Sequence, residues 1–214
     1  MPAATRAPSS APPGTILSNQ DTPGFYVRYY KPFPAPDAAK WALQIEGLLA
    51  APLSLTLQEI QDKLPRQEQN TRMKCVEGWS SGATWGGFTY ASLAELVKPA
   101  PEASHVRFSC ADGYWEDLAV SELQKPHALF VTHMNGEALP AQYGAPLRMI
   151  MPWLQGYKGA KAVTKLEFTA QGDKGYWSTV GPYTVDGAIQ AGSDYPLDLA
   201  GGARDVGAGE VTAY

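Results

Sequence analysis

Apolar residues in this chain recur mostly at every second position, in runs too short for anything but strands. Val106, Phe108 and Cys110 alternate with His105, Arg107 and Ser109, and Trp41, Leu43 and Ile45 alternate with small or polar residues up to Gly47. Leu147, Met149 and Met151 form a third run, closed by Pro152. Period two sends successive side chains to opposite faces, so each run predicts a half-buried strand. Ala128–Met134 also reads as a strand and runs into Asn135-Gly136, a pair that suits the positive φ angles of a tight hairpin. Val163–Phe168 supplies a last strand. Helix signals are fewer. Thr56-Leu57-Gln58-Glu59 is a capping box, followed by Ile60 and Leu64 on the face of Leu57 and stopped at Pro65. Ser92-Leu93-Ala94-Glu95 repeats that signature before Pro99. Short helices that interrupt strands without a regular βαβ rhythm predict an α+β fold of mixed β-sheets.

The sequence divides into an Ala/Pro/Ser-rich segment at residues 1–24, a patterned middle at 25–170, and a Gly/Asp/Ala-rich remainder at 171–214. The first is expected to be a flexible arm, the second the folded domain, and the third a largely irregular extension packed on it or trailing from it. Residues 1–24 lack the charged start and apolar core of a secretory leader, so a periplasmic location is expected if a leader was removed and a cytoplasmic one otherwise. No run of apolar residues is long enough for a membrane-spanning helix. Seventeen Lys and Arg against 21 Asp and Glu, with no basic stripe, exclude a nucleic-acid binder. Two cysteines exclude a disulfide-stapled scaffold and a four-thiolate zinc site.

Two segments could carry chemistry. Cys75 lies in Arg72-Met73-Lys74-Cys75-Val76-Glu77-Gly78-Trp79-Ser80, where a polar strand end meets a glycine turn. Arg72 and Lys74 could lower the thiol pKa and favour the thiolate, the form that ligates metals and attacks electrophiles. A buried structural cysteine, a Cys75–Cys110 disulfide, and Cys-His catalysis with His105, His127 or His133 are the alternatives at this point. The second segment runs from Gln142-Tyr143-Gly144-Ala145-Pro146-Leu147-Arg148 to Gly156-Tyr157-Lys158-Gly159-Ala160-Lys161. Small residues let amide groups converge on an anion, and Arg148, Lys158 and Lys161 supply charge suited to phosphate. The bland alternative is a glycine-rich turn with solvated lysines. Ordinary nucleotide loops, GxxxxGK[ST] or GxGxxG, are absent.

In combination, KCVEGWS, VRFSCADGY and GAPLRMIMPWLQGYKGAKAVTKLEF resemble, in that order, the molybdopterin-dependent oxidoreductases of the sulfite oxidase superfamily. The resemblance covers residues 25–170 and implies that family's fold with a molybdenum–molybdopterin cofactor. It implies that Cys75 is the thiolate ligand of molybdenum, and that Arg148 and Lys161 bind the pterin and its phosphate, with backbone donors from Gly159 and Ala160. Phe25-Tyr26-Val27-Arg28-Tyr29-Tyr30 stands where the family has a cofactor-contacting stretch, which brings in Tyr26, Arg28 and Tyr29, although a tyrosine replaces the family's Asn or His after the arginine. Tyr143 stands where relatives carry His or Asn, and Cys110 where a bacterial branch has Thr beside the metal site, a supporting position and not a second ligand.

Two reactions compete within the resemblance. Sulfite oxidation wants a cationic pocket, yet Glu77 follows the cysteine by two positions. A carboxylate about 4 Å from an anion costs about 4 kcal/mol at an effective dielectric near 20. Val76-Glu77 instead resembles the bacterial catalytic subunit that reduces protein-bound methionine sulfoxide, and an apolar pocket from Trp79, Tyr114 or Trp115 suits a neutral sulfoxide. Arg28 argues the other way, since the arginine of that segment can face substrate in sulfite oxidases. The expected catalytic set is Cys75, Glu77 and Arg28. The expected reaction is reduction of a small-molecule or protein-bound S-oxide or N-oxide, with sulfite oxidation the alternative. Outside oxygen-atom transfer, a non-catalytic β-rich binding module and a cysteine hydrolase remain. No Cys-x-x-Cys-His haem site is present, so a separate electron partner is expected, such as a cytochrome or a quinone-linked membrane subunit. A monomer is expected, because little follows residue 170 that could form a dimerisation domain.

Overall fold

The computed structural model describes residues 11–212. Two sheets form the body. The first has five strands in the order Trp115–Ala119, His105–Cys110, Val163–Thr169, Ala42–Gly47 and Leu53–Thr56. Only Val163–Thr169 and Ala42–Gly47 run parallel. The second follows Glu137–Ala138, Leu129–Met134, Trp79–Phe88, Gly192–Pro196 and Arg204–Val206, with Arg148–Ile150 paired to Leu129–Met134 and Gln67–Lys74 to Trp79–Phe88. The sheets are mixed and the helices short, as the α+β expectation requires.

The main core lies between the sheets, where Leu43, Ile45, Val106, Phe108, Leu166 and Phe168 of the first meet Phe88, Phe130 and Met149 of the second. The second sheet is buried on its other face too. Leu129, Val131 and Ile150 turn there to pack with Trp85, Trp79 and Phe25. A strand covered on both sides loses the apolar–polar alternation of a half-buried one. That corrects the reading of Leu147, Met149 and Met151 as one buried face: Arg148 and Ile150 between them are buried as well. Arg148 therefore leaves the backbone on the side away from the main core.

Most expected signals appear where the chain places them. Leu57–Lys63 is a helix with the Thr56–Glu59 capping box, and Asn135 and Gly136 take φ angles of 53° and 84° in a two-residue hairpin. The second helix starts earlier than Ser92: it spans Tyr90–Val97 and is capped by Thr89, whose hydroxyl accepts the Ser92 amide hydrogen. Burial of Tyr90, Leu93 and Val97 on one face sets that start. The flexible-arm expectation narrows as well. Residues 1–10 lie outside the described residues, but Thr15–Ile16 pairs with Phe33–Pro34 and Asn19–Gln20 with Val27–Arg28. Ile16 packs against Val27, Tyr29 and Phe33, which fixes the segment.

The extension after residue 171 is more ordered than its composition suggests. Tyr176–Val180 is helical, and Gly192–Pro196 joins the second sheet beside Trp79–Phe88. Asp194 is buried there, receiving the Lys74 ammonium at 2.8 Å and the Ser80 hydroxyl at 2.5 Å. A buried carboxylate persists only when paired in this way. The extension is thus tied to the strand that ends just before Cys75.

Candidate active site

Strand alternation decides which side chains face the cleft. In Gln67–Lys74, Arg72 and Lys74 leave one face and bind Asp198 and Asp194. Met73, followed by Cys75, leaves the other and lines a cavity of about 280 Å³. Cys75 closes a tight turn in which its amide donates to Trp79 O at 2.7 Å and its carbonyl accepts from Gly78 at 3.1 Å. Arg72 and Lys74 therefore do not activate the thiol. Burial pushes Cys75 up to about 11, partly offset by an amide hydrogen bond from Glu77. Both cysteines are free. None of His105, His127 and His133 lines the cleft: they meet Ser104, Glu210 and Thr132 respectively. A thiol that is protonated at neutral pH and has no imidazole beside it is a poor hydrolytic nucleophile.

Across the cleft stand two cations. Arg148 is 3% exposed; its Nη1 donates to Tyr143 O at 2.9 Å and its Nη2 to Met73 Sδ at 3.3 Å. Its Nε–H is buried without a partner, and its guanidinium lies 5.1 Å from the centre of the Trp85 ring. Lys161 reaches the carbonyl of Arg28 and sits 3.9 Å above the Tyr29 ring. Among the described residues neither has a carboxylate within ion-pair distance. Desolvation draws Arg148 down to about 10 and, with repulsion from Arg148, Lys161 down to about 7. Two desolvated like charges with an orphan donor are costly unless an anion completes the pocket.

Gly159 shares this wall. A side chain on it would stand 2.9 Å from Met149 O, so only glycine allows that approach. Its amide and that of Ala160 are occupied by Gly156 O and Lys158 O, which corrects the expectation that they donate to a ligand. Ala160 does not line the cleft and sits in the main core. Cys110 also belongs to that core and backs the wall beneath Lys161, whose amide it accepts. Lys158 is no phosphate ligand either, for it is buried against Glu116 at 2.5 Å.

The remaining lining is largely aromatic. Tyr26, Tyr29, Trp79, Tyr114 and Tyr143 face the cavity, and Phe25 packs edge-on against Trp79 and Trp85 with centroids 6.3 and 5.7 Å apart. Trp115 does not reach it; its indole donates to Lys174 O. Trp177 and Tyr183 of the extension complete the wall, with centroids 5.8 Å apart. These two, with Met73 and Tyr157, were not among the residues singled out from sequence. The alternation that carries Cys75 marks Met73, whereas nothing local marks Trp177. Glu77 and Arg28 also line the cleft, joined by a bifurcated contact in which the Arg28 Nε–H meets both carboxylate oxygens at 2.9 Å.

Similarity to known proteins follows the same residues. The profile of the oxidoreductase molybdopterin binding domain matches residues 30–177. The chain is 30% identical over 196 residues to the protein-methionine-sulfoxide reductase catalytic subunit MsrP of Ralstonia nicotianae, covering 84% of this chain and 57% of that protein. It is 34% identical over 159 residues to the MsrP of Campylobacter jejuni, covering 66% and 53%. The chain thus spans little more than half the length of these relatives. The crystal structure of the sulfane dehydrogenase SoxCD of Paracoccus pantotrophus shares the fold, with a TM-score of 0.69 at 18% identity over 78% of this chain and 50% of that one.

Proposed function

Because this chain belongs to the oxidoreductase molybdopterin-binding domain family, we propose that its cleft holds molybdenum–molybdopterin and reduces a neutral S-oxide. The observation that carries the reading is the arrangement of one cleft: a lone thiol at Cys75 faces a pocket where, among the described residues, Arg148 and Lys161 have no carboxylate within ion-pair distance, Asp112 of the same lining acting on Lys161 only from farther off, and aromatic rings fill the space between. The residues fit the group. A soft sulfur donor suits molybdenum, and two desolvated cations suit a phosphate-bearing pterin. Cys75 would supply the thiolate, Arg148 and Lys161 would hold the anionic end, and Tyr26, Tyr29 and Tyr143 would flank the ring system. When bound, the cofactor supplies oxygen-atom transfer coupled to the passage of two electrons.

The chain's own task is then binding and exclusion. Trp79, Trp177 and Tyr183 offer apolar faces to a thioether-like substrate, and Arg28, the cation beside Glu77, is already paired with it. Reduction takes a sulfoxide, two protons and two electrons to a sulfide and water. The electrons come from a separate redox partner. Methionine sulfoxide, the substrate in the names of both MsrP relatives, is the candidate.

The test is a panel with an artificial electron donor: free and peptide-bound methionine sulfoxide, dimethyl sulfoxide, and sulfite in the oxidising direction. Sulfoxide reduction is expected to dominate; faster oxidation of sulfite would overturn the reading. Within the panel, Trp177→Ala is expected to raise KM for a sulfoxide by roughly three- to tenfold with kcat little changed, as loss of uniform apolar binding requires. An unchanged KM would remove Trp177 from the substrate wall.

A further inference from the structure

The guanidinium of Arg28 is occupied along the edge best suited to an oxyanion. Its Nε and Nη2 hydrogens point the same way, the fork that grips two oxygens of a carboxylate, phosphate or sulfate. Here the chain fills that fork itself. Glu77 takes Nε with both oxygens at 2.9 Å, and Asp21 takes Nη2 at 2.8 Å. Nη1 is turned away, to Val27 O at 3.0 Å and Gln20 O at 3.3 Å. Glu77 is itself held by the Trp79 indole at 2.9 Å and lies 3.9 Å from Cys75 Sγ. Its carboxylate thus stands within the cleft, beside the thiol.

We propose that Glu77 is a built-in occupant of a latent oxyanion site on Arg28, and that it sets the cleft's preference for neutral over anionic substrates. The inference rests on reading this cleft as the substrate pocket. An incoming dianion would have to displace a carboxylate already seated on the fork, beside a cluster of Arg28, Glu77 and Asp21 whose charges sum to −1. A neutral S-oxide does not compete for that contact. Removing Glu77 frees Nε–H, brings the cluster to neutrality, and leaves Asp21, whose side chain is 70% exposed, as a weak screened competitor.

Sulfate binding to the cofactor-loaded protein, followed by isothermal titration calorimetry, tests this independently of turnover. Glu77→Ala is expected to tighten sulfate binding at least twentyfold, and Glu77→Gln, which keeps the shape and a partner for the Trp79 indole, by a few fold. Dimethyl sulfoxide binding is the comparison, and the ratio of sulfate to dimethyl sulfoxide affinity should rise at least tenfold in Glu77→Ala. Adding Arg28→Gln to either variant should return sulfate affinity to the wild-type value. Sulfate affinity within twofold of wild type in both single variants overturns the inference. So does a gain that survives loss of Arg28, since the anion would then be bound elsewhere. A protein that reduces no sulfoxide but gains sulfate binding in Glu77→Ala would lose the proposed reaction and keep the anion lock.

Discussion

Cys75→Ser is expected to strip molybdenum from the purified protein and to lower turnover by at least about 10³-fold, equivalent to about 4 kcal/mol of transition-state stabilisation. The substitution is nearly isosteric. The turn that carries the residue is held by backbone bonds from Cys75 to Trp79 and from Gly78 to Cys75, and these do not depend on sulfur. The change therefore falls on donor chemistry: a hard hydroxyl, protonated at any working pH, replaces a soft thiol. Thermal denaturation within a few degrees of wild type, with molybdenum absent by mass spectrometry, would separate lost ligation from lost folding. A variant that kept both metal and turnover would remove Cys75 from the centre of the account.

Arg148→Met is expected to move stability and cofactor retention in opposite directions. The cofactor-free protein buries a guanidinium that, among the described residues, has no carboxylate within ion-pair distance and leaves one N–H unpartnered. Replacing such a charge with an apolar side chain of similar length is expected to stabilise that form by about 1–3 kcal/mol, less whatever the Trp85 contact contributes. The same change removes the guanidinium that would hold the pterin phosphate, and truncating one partner of a buried charge pair costs about 2–5 kcal/mol of binding. Higher stability in urea together with loss of pterin is the predicted pair of results. Lys161 adds a pH signature. Its ammonium is drawn down to about 7, whereas the unfolded chain holds that proton to about 10. Below pH 7 both states are protonated and the folded state bears the full cost. As pH rises the folded chain releases the proton first, so stability rises. Between pH 7 and 8.5 the gain should be about 1–2 kcal/mol in cofactor-free protein and absent in Lys161→Met. Above about pH 9 the raised thiols of Cys75 and Cys110 work in the opposite direction, which sets the upper limit of the window.

Local signals were legible in the sequence wherever local physics decides. Period two located the strands around Leu43 and Phe108, and the Thr56 capping box and the Asn135-Gly136 hairpin needed no tertiary information. What failed depends on contacts distant in the chain. Arg72 and Lys74 read as activators of Cys75, but a strand sends them to the opposite face, where the extension supplies Asp198 and Asp194. Lys158 and Lys161 are indistinguishable as sequence. One meets the buried Glu116, and the other, among the described residues, has no carboxylate within ion-pair distance; that difference is set by contacts distant in the chain. The Gly/Asp/Ala-rich remainder looked irregular since a five-residue strand carried by a paired aspartate has no apolar pattern to show. The Arg28–Glu77 contact spans 49 positions. It changes the meaning of Glu77 from a lone repelling charge to one half of an ion pair.

The rival readings fare differently. A cysteine hydrolase needs a base near Cys75, and no histidine lines the cleft. A passive β-rich binding module would leave a thiol and two desolvated cations gathered in one cavity with nothing to hold.

The most direct test of the account is the molybdenum and pterin content of protein purified from a host that makes the cofactor. About one molybdenum and one pterin per chain are expected, with the metal lost in Cys75→Ser and the pterin lost in Arg148→Met. A folded wild-type protein that carries neither, from cells whose other molybdenum enzymes are loaded, would contradict it.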